Sequence, residues 1–404
     1  MLELAARTPA GARLVAIAEE LCPRLAAQAA RHDREGTYPF EAIAALEEAG
    51  VLAAPVPIEL GGLGVASTHD LVVASSRLAR GDASVAIGVN MHLIAVHNME
   101  RRRQVALAGG AERRARGFAT SLERVARDGA VLAAAISEPG QDLTRPGTRA
   151  TRTPSGWRID GRKLFCTMSP AATDLYVAVT YADDEGVDRY AYAIVPTGAP
   201  GVVVEDDWDG LGMRASGSNS ISLTGVELPA FGVRGGFPAG DPLPYMERNL
   251  VAGLFHAAAS LGIAESADTT VRRGLSGRIN GDARPRMQVA DNAVDLAAAR
   301  GVLSRAAALI DEHRAANPAS DGSAGDLHAL FAEAQAAKVF VNEAAARIVD
   351  RALGLSGGAG YVDGSPLARA YRDVRASTFM HPLGANRAYD YLAHVALGEQ
   401  PSLH

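Results

Sequence analysis

The first third of the chain has apolar residues at helical spacing. They recur every three or four positions: Leu14, Ile17, Leu21 and Leu25. This spacing predicts an amphipathic helix over about residues 12–32. A second predicted helix, about residues 40–50, ends at Gly50, a residue suited to a helix C-terminus. Residues 84–99 are apolar but include His92, so we expect a core helix beside a cavity.

The middle of the chain instead has short runs of β-favouring residues. These runs are Val131–Ile136, Trp157–Asp160, Lys163–Thr167, Leu175–Tyr181, Tyr190–Val195, Val202–Val204 and Ile221–Val226. Turn residues such as Pro154-Ser155-Gly156 and Asp160-Gly161 separate them. The spacing predicts a compact antiparallel barrel or sandwich.

Helical spacing returns in the last third. One series is Val294, Ala298, Val302, Ala306 and Leu309, and another is Ala337, Phe340, Ala344, Ile348 and Ala352. The order helical, β, helical predicts an α+β protein with three regions. These are an N-terminal helical domain over 1–130, a central β-domain over 131–235 and a C-terminal helical bundle over 236–404.

Composition and charge argue against several kinds of partner. Hydrophobic residues make up 48% of the 404 residues and charged residues 21%, which is ordinary for a soluble globular protein. The net charge of −6 argues against nucleic acid as the main partner. Two cysteines are too few for a disulfide framework or a cysteine-rich metal site, so no metal is predicted. No signal pattern begins the chain and no apolar run reaches the ~18 residues of a membrane span, so we expect no membrane partner and a cytoplasmic location.

Five motifs follow one another at fitting separations. They are Ile136–Gly140, Gly156–Thr167, Leu211–Ser216, Val226–Pro229, and Leu355–Tyr361 followed by Tyr371–Asp373. In this order they resemble the acyl-CoA dehydrogenase superfamily, including its flavin-dependent monooxygenase branch, over nearly the whole chain. The resemblance implies an N-terminal helical domain, a central antiparallel β-barrel or sandwich and a C-terminal four-helix bundle. It also implies a homotetramer or a homodimer.

The resemblance further implies a flavin cofactor, FAD or, in a monooxygenase, FMN. By this resemblance Phe165 packs beside the flavin ring and Thr167 hydrogen-bonds near its N5. Ile136 and Ser137 contact the pyrimidine edge. The other cofactor-binding residues that the resemblance implies are Arg278, an approximate match, Gln288, and Gly357 and Gly358, which receive an adenosine portion from a neighbouring subunit.

Two residues compete for the role of base. His381 occupies the position where the family usually has its catalytic glutamate, and a histidine there can accept a proton. Glu247 aligns with the base of family members that carry it on the first helix after the β-domain. The preferred hypothesis is α,β-dehydrogenation of an acyl thioester with Glu247 as base, which implies an electron-transfer flavoprotein as partner.

The alternative is a two-component monooxygenase that uses reduced flavin and O2 to hydroxylate a small molecule. His92 and His381 would then be the catalytic histidines, in place of a carboxylate, and a flavin reductase would be the partner. Helix 84–99 is apolar, however, and a lone histidine such as His92 on an apolar face is more often a core residue. A third hypothesis is a non-catalytic flavoprotein subunit.

Overall fold

The computed structural model describes residues 2–140, 142–275, 283–319, 327–399 and 401–403. Its N-terminal region is helical, with α1 (Pro9–Glu35), α2 (Phe40–Glu48), α3 (Thr68–Gly81), α4 (Ala83–Ala108) and α5 (Glu112–Arg127). The Asp82 carboxylate begins α4 by accepting a hydrogen bond from the backbone N–H of Ser84 at 2.8 Å. Leu14 of α1 and Leu71 of α3 are fully buried where these two helices pack together, so the periodic apolar face is the core face.

The central region forms one eight-stranded sheet within the described residues. Its strands are β1 (Leu132–Ala135), β2 (Arg149–Thr153), β3 (Gly156–Cys166), β4 (Asp174–Ala182), β5 (Asp188–Pro196), β6 (Val202–Val204), β7 (Asn219–Pro229) and β8 (Val233–Pro238). The strand order is β6-β7-β3-β2-β4-β5-β8, and β1 pairs with β4. Both β1 and β2 run parallel to β4, whereas the other pairs are antiparallel. The expected antiparallel sheet is therefore corrected to a mixed one, because a long connection separates β1 from β4 and permits the parallel pairing.

Strand β3 joins two runs that the sequence separates. Residues 157–160 and 163–166 lie in one strand, whose register against β7 is irregular between Ile159 and Gly161 and again between Lys163 and Cys166. A Cβ atom at Gly161 would lie 2.4 Å from the hydroxyl oxygen of Thr148. Gly161 therefore permits a close approach inside a strand and does not form a turn.

The C-terminal region is again helical. Its helices are α6 (Pro242–Asn249), α7 (Ala252–Leu275), α8 (Ala283–Ala316), α9 (Leu327–Ser356), α10 (Gly358–Tyr361), α11 (Pro366–Asp373) and α12 (Ala385–Ala396). Helix α7 packs against α3, α4, α8 and α9, and its residues Leu254, Phe255 and Leu261 are fully buried. The predicted α+β class and the helical, β, helical order are confirmed.

The segment of α6 and α7 is the one candidate membrane span among the described residues. Pro242–Leu275 is long and apolar enough by length and composition, but 94% of its most apolar window is buried inside the protein. A core helix of a folded domain passes the same test, and the packing of α7 identifies it as such a helix.

Candidate functional site

A cleft of about 450 Å³ lies where the three regions meet. Its lining comes from α4, from β1 and β3, from the loops before β7, from α7 and from the segment 372–381. Phe165, Leu211 and Phe379 line it and are 63%, 72% and 78% exposed. A concave site of this size with exposed apolar side chains indicates a small-molecule ligand that has an apolar surface.

Phe165 has an unusual backbone conformation. Its φ is 55°, in the left-handed region that phenylalanine rarely adopts, and it lies at the irregular end of β3. Its ring meets that of Trp208 edge to face, with 6.3 Å between the ring centroids. A strained residue that presents an exposed ring to a cleft is more typical of a functional site than of packing. The two rings form an aromatic wall.

Hydroxyl groups adjoin this wall. Thr167 Oγ1 lies 2.9 Å from Ser218 Oγ, which lies 2.6 Å from Ser216 Oγ. Ser137 also lines the cleft, and its carbonyl accepts a hydrogen bond from the backbone N–H of Leu164 at 2.9 Å. The cleft thus has the hydroxyl groups of Ser137, Thr167 and Ser218 next to its apolar surface.

Two motifs that are distant in sequence meet beside the cleft. The backbone N–H of Met213 donates to the buried carboxylate of Asp373 at 2.6 Å. A Cβ atom at Gly212 would lie 2.4 Å from the backbone of Arg372, so only glycine permits this approach. Burial raises the pKa of Asp373 to about 7. Gly212, Met213 and Arg372 all line the cleft, which explains why both motifs belong to one site.

His381 lines the cleft, as the sequence predicts. Its Nε2 lies 2.8 Å from Asn249 Oδ1. Burial, together with the charges of Lys338 and Arg387, lowers the pKa of His381 to about 3. The imidazole is therefore neutral at physiological pH.

A buried lysine holds the segment that carries His381. Lys338 on α9 donates hydrogen bonds to the carbonyls of Met380, of His381 at 3.5 Å and of Leu383 at 2.8 Å. Burial lowers its pKa to about 7. Lys338 thus fixes the backbone on both sides of the histidine.

The structure places His92 outside the cleft lining. His92 is fully buried on α4, and its Nε2 lies 2.9 Å from the carbonyl of Leu52. Its Nδ1 accepts a hydrogen bond from the backbone N–H of Leu132 at 3.0 Å. Both ring nitrogens are therefore engaged with backbone groups, and burial lowers the pKa of His92 to about 4. This is the geometry of a core histidine.

Glu247 also lies apart from the cleft lining. Helix α6 directs its carboxylate toward α8, where Oε2 lies 2.9 Å from His313 Nε2. Arg101 of α4 lies 3.8 Å from the other carboxylate oxygen. Glu247 is 3% exposed, so its carboxylate belongs to a buried ionic contact between helices.

The predicted flavin contacts fall into two groups. Four of them line the cleft together: Ile136, Ser137, Phe165 and Thr167. The others do not line it: Gln288 is half-buried on α8, and Gly357 and Gly358 are exposed where α9 ends and α10 begins. Arg278 lies outside the described residues. The individual roles of all these residues stay predictions.

Trp208 and His256 are among the lining residues that the sequence reasoning missed. Trp208 donates from its ring N–H to the carbonyl of Met213 at 2.9 Å, and its position just before the Leu211–Ser216 motif was the available signal. His256 is 1% exposed on α7, and its only signal was a polar residue inside an apolar helix.

These residues fit a flavin. An isoalloxazine ring needs an apolar or aromatic wall and hydrogen bonds at its ring nitrogens and oxygens. The strained Phe165, with Trp208 beside it, provides the wall, and the hydroxyls of Thr167 and Ser137 provide polar groups next to it.

Comparisons with known proteins identify the family. Three family models match: the acyl-CoA dehydrogenase N-terminal domain over residues 14–105, the middle domain over 133–226 and the C-terminal domain over 245–386. The amino sugar nitrososynthase DnmZ of Streptomyces peucetius is 36% identical over 399 residues, which cover 97% of this chain and 95% of that protein.

Two solved structures are similar over nearly their full length. A nitrososynthase from Micromonospora carbonacea var. africana has 33% identity and a TM-score of 0.87, with 98% of each chain covered. KijD3, in complex with FMN and dTDP-3-amino-2,3,6-trideoxy-4-keto-3-methyl-D-glucose, has 32% identity and a TM-score of 0.88, with 98% of this chain and 96% of that chain covered. With three matching domains in order and relatives of this identity, the chain belongs to the acyl-CoA dehydrogenase superfamily and is a flavin-dependent oxidoreductase.

Proposed function

We propose that this protein is a flavin-dependent monooxygenase that oxidises the amino group of a nucleotide-linked amino sugar. The observation that carries this proposal is that no aspartate or glutamate lines the cleft within the described part of the chain. Dehydrogenation of an acyl thioester needs a base to remove the α-proton. Of the two candidates for that base, Glu247 is hydrogen-bonded to His313 instead. His381 lines the cleft, but its pKa of about 3 is far below that of an efficient base at neutral pH.

Oxidation of an amine has a different requirement. A neutral amine is itself the nucleophile, so no side chain has to remove a proton from carbon. Bound reduced flavin together with O2 supplies the oxygen atom. Each conversion of an amine to a hydroxylamine consumes one O2 and one reduced flavin and releases one water. A second round gives the nitroso compound and two waters.

The protein's own residues would give the reacting atoms apolar surroundings. Phe165, Leu211 and Phe379 give the cleft an apolar lining, and the pKa of His381 keeps that imidazole neutral. An apolar surrounding also favours the neutral form of the substrate amine, which is the nucleophilic form.

Arg375 would bind a phosphate of the nucleotide or of the flavin. It lines the cleft, and its guanidinium lies over the ring of Tyr371 at 5.0 Å from the centroid. Arg372, which also lines the cleft, pairs with Asp33, whereas no salt bridge joins Arg375 to a carboxylate among the described residues. A guanidinium in this arrangement is suited to a phosphate group.

The relatives support both parts of the proposal. DnmZ is named an amino sugar nitrososynthase, and KijD3 was solved with FMN and a dTDP-linked amino sugar. A flavin reductase would then be the partner that supplies reduced flavin, and the cytoplasm, where reductant is available, would be the location.

The test supplies FMN, a flavin reductase with NADH, O2 and a dTDP-linked 3-amino sugar, and follows the product by mass spectrometry. We expect the hydroxylamine and then the nitroso product. In parallel, the oxidised protein is mixed anaerobically with a panel of acyl-CoA thioesters. Bleaching of the flavin by a thioester, without oxygenated amino sugar in the first assay, would support dehydrogenation instead.

A further inference from the structure

His256 is a buried polar side chain without a protein partner. It lies on α7, is 1% exposed and lines the cleft. Neither its Nδ1 nor its Nε2 has a hydrogen-bonding partner among the described residues. Buried polar groups are nearly always paired, because an unpaired one loses its hydration without compensation.

Burial alone does not explain why His256 has no hydrogen-bonding partner, as a comparison with His92 shows. Both histidines lie on apolar helices, but His92 has a backbone partner at each ring nitrogen. His256 is directed to the cleft instead. If only packing were required at this position, an apolar side chain of similar volume would be more stable.

The position of His256 indicates which ligand it meets. The predicted flavin contacts that line the cleft, Phe165 and Thr167 among them, come from β3 or from residues directly after β1 and β3. His256 belongs to the helical part of the lining, with Ile87 and Met91 of α4. A flavin held by the sheet leaves the helical side of the cleft for the substrate.

We propose that His256 binds the amino group of the substrate, with a ring nitrogen accepting a hydrogen bond from the amine N–H. This inference rests on the proposed function and names the residue that recognises the nitrogen to be oxidised.

The chemistry of the amine favours an acceptor at this place. A side chain that accepts an N–H leaves the nitrogen lone pair free to attack oxygen, whereas a cationic donor would occupy that lone pair. Burial, together with the charge of Lys338, holds the pKa of His256 well below its usual range. Its imidazole therefore stays neutral and keeps one acceptor nitrogen.

The test compares wild type with His256→Leu and with the matched control His394→Gln. His394 lies on α12, where it pairs with Glu399, and does not line the cleft. Calorimetric titrations with oxidised FMN present measure binding of a dTDP-linked 3-amino sugar and, separately, of dTDP alone. We expect His256→Leu to weaken binding of the amino sugar about tenfold or more and to leave binding of dTDP unchanged. His394→Gln should bind both as wild type does.

Stability in the absence of ligand distinguishes a ligand contact from a structural role. We expect the Tm of His256→Leu to equal or exceed that of wild type, because the substitution removes an unpaired polar group. A clearly lower Tm would mean that the imidazole has a structural partner and would overturn the inference. A second variant, His256→Gln, keeps an acceptor and should recover part of the affinity for the amino sugar.

Failure of this inference and failure of the proposed function give different results. If wild type oxidises the amino sugar and His256→Leu binds it equally well, the role of His256 is wrong and the proposed function stands. If wild type neither binds nor oxidises the amino sugar, both are wrong.

Discussion

The side chain of Asn249 fixes the protonation pattern of His381. Asn249 Nδ2 donates to the carbonyl of Tyr245 at 2.7 Å, so its Oδ1 is the atom that faces the histidine. Nε2 of His381 lies 2.8 Å from this oxygen, and an amide oxygen only accepts hydrogen bonds. The proton of the neutral imidazole is therefore assigned to Nε2, which leaves Nδ1 as an acceptor.

A charge at position 249 should shift the titration of His381. In Asn249→Asp a carboxylate replaces the amide, and an opposite charge favours the protonated imidazole. We expect the pKa of His381 to rise from about 3 by at least about one unit, measured by NMR titration of the ring protons. Asn249→Leu is the control and should leave the pKa low. An unchanged pKa in Asn249→Asp would contradict the contact.

Lys338 should affect catalysis without touching the ligand. Lys338→Met leaves the carbonyls of Met380 and Leu383 without their donor, which should cost about 1–3 kcal/mol in the free energy of unfolding. The segment that holds His381 would loosen, so we expect kcat to fall about tenfold or more. Urea denaturation and steady-state kinetics measure the two effects. Full activity in a folded Lys338→Met protein would show that this tether has no role in positioning.

The backbone strain at Phe165 predicts that a glycine variant is more stable than an alanine variant at this position. This is the reverse of the usual order of stability for the two residues. Both Phe165→Ala and Phe165→Gly remove the aromatic wall, and we expect each to weaken FMN binding, measured by flavin fluorescence. Only glycine tolerates a φ of 55° without cost. Phe165→Gly should therefore be the more stable variant by about 1 kcal/mol in thermal or urea unfolding. Greater stability of the alanine variant would mean that residue 165 does not hold this conformation in solution.

Substitution of Glu247 separates the two chemistries that the sequence left open. Glu247→Gln removes the charge that faces His313 and Arg101, and we expect it to lower the free energy of unfolding by about 1–3 kcal/mol. Amine oxidation should stay within about threefold of wild type, because Glu247 does not line the cleft. A loss of about 100-fold or more in a folded variant would identify it as a general base.

The burial of His92 predicts a loss of stability in acid. An unfolded histidine takes up a proton below about pH 6.5, whereas folded His92 stays neutral to about pH 4. Between these values the unfolded state binds more protons, so stability falls as the pH falls, by up to about 1.4 kcal/mol per pH unit.

The matched variant is His92→Gln, which offers a donor and an acceptor but does not titrate. We expect the difference in free energy of unfolding between wild type and variant to be constant above about pH 7. Below pH 6.5 the advantage of wild type should shrink. A difference that does not depend on pH would show that His92 titrates normally.

Local sequence patterns were enough to predict most of the fold. Periodic apolar residues such as Leu14 and Leu25 predicted a helix because a helix buries one face, and this property needs only local spacing. The parallel pairing of β1 with β4 was missed, because nothing local distinguishes a hairpin from a connection that passes through two further strands. The prediction of a turn at Gly161 was wrong for the same reason. The sequence shows a glycine but not Thr148, the neighbour whose close approach requires it.

The scarcity of lysine in this chain is a signal of another kind, because it does not depend on the local spacing of residues. The chain has two lysines, Lys163 and Lys338, among 40 basic residues. Both are buried and donate to backbone carbonyls, Lys163 to that of Ala178 at 2.7 Å. Three donors on one compact cation suit a cluster of carbonyls better than the planar guanidinium does. Rarity could have identified these positions as special, but it could not name their partners.

By itself the sequence determined the order of elements, the superfamily and the cofactor class, because these depend on spacing and on motifs of contiguous residues. Only the tertiary structure decided which titratable side chains share the cleft. His92 and His256 both interrupt apolar helices, and nothing in their local surroundings separates them. Packing gives one of them two backbone partners and directs the other to the cleft, because such contacts join residues far apart in the chain.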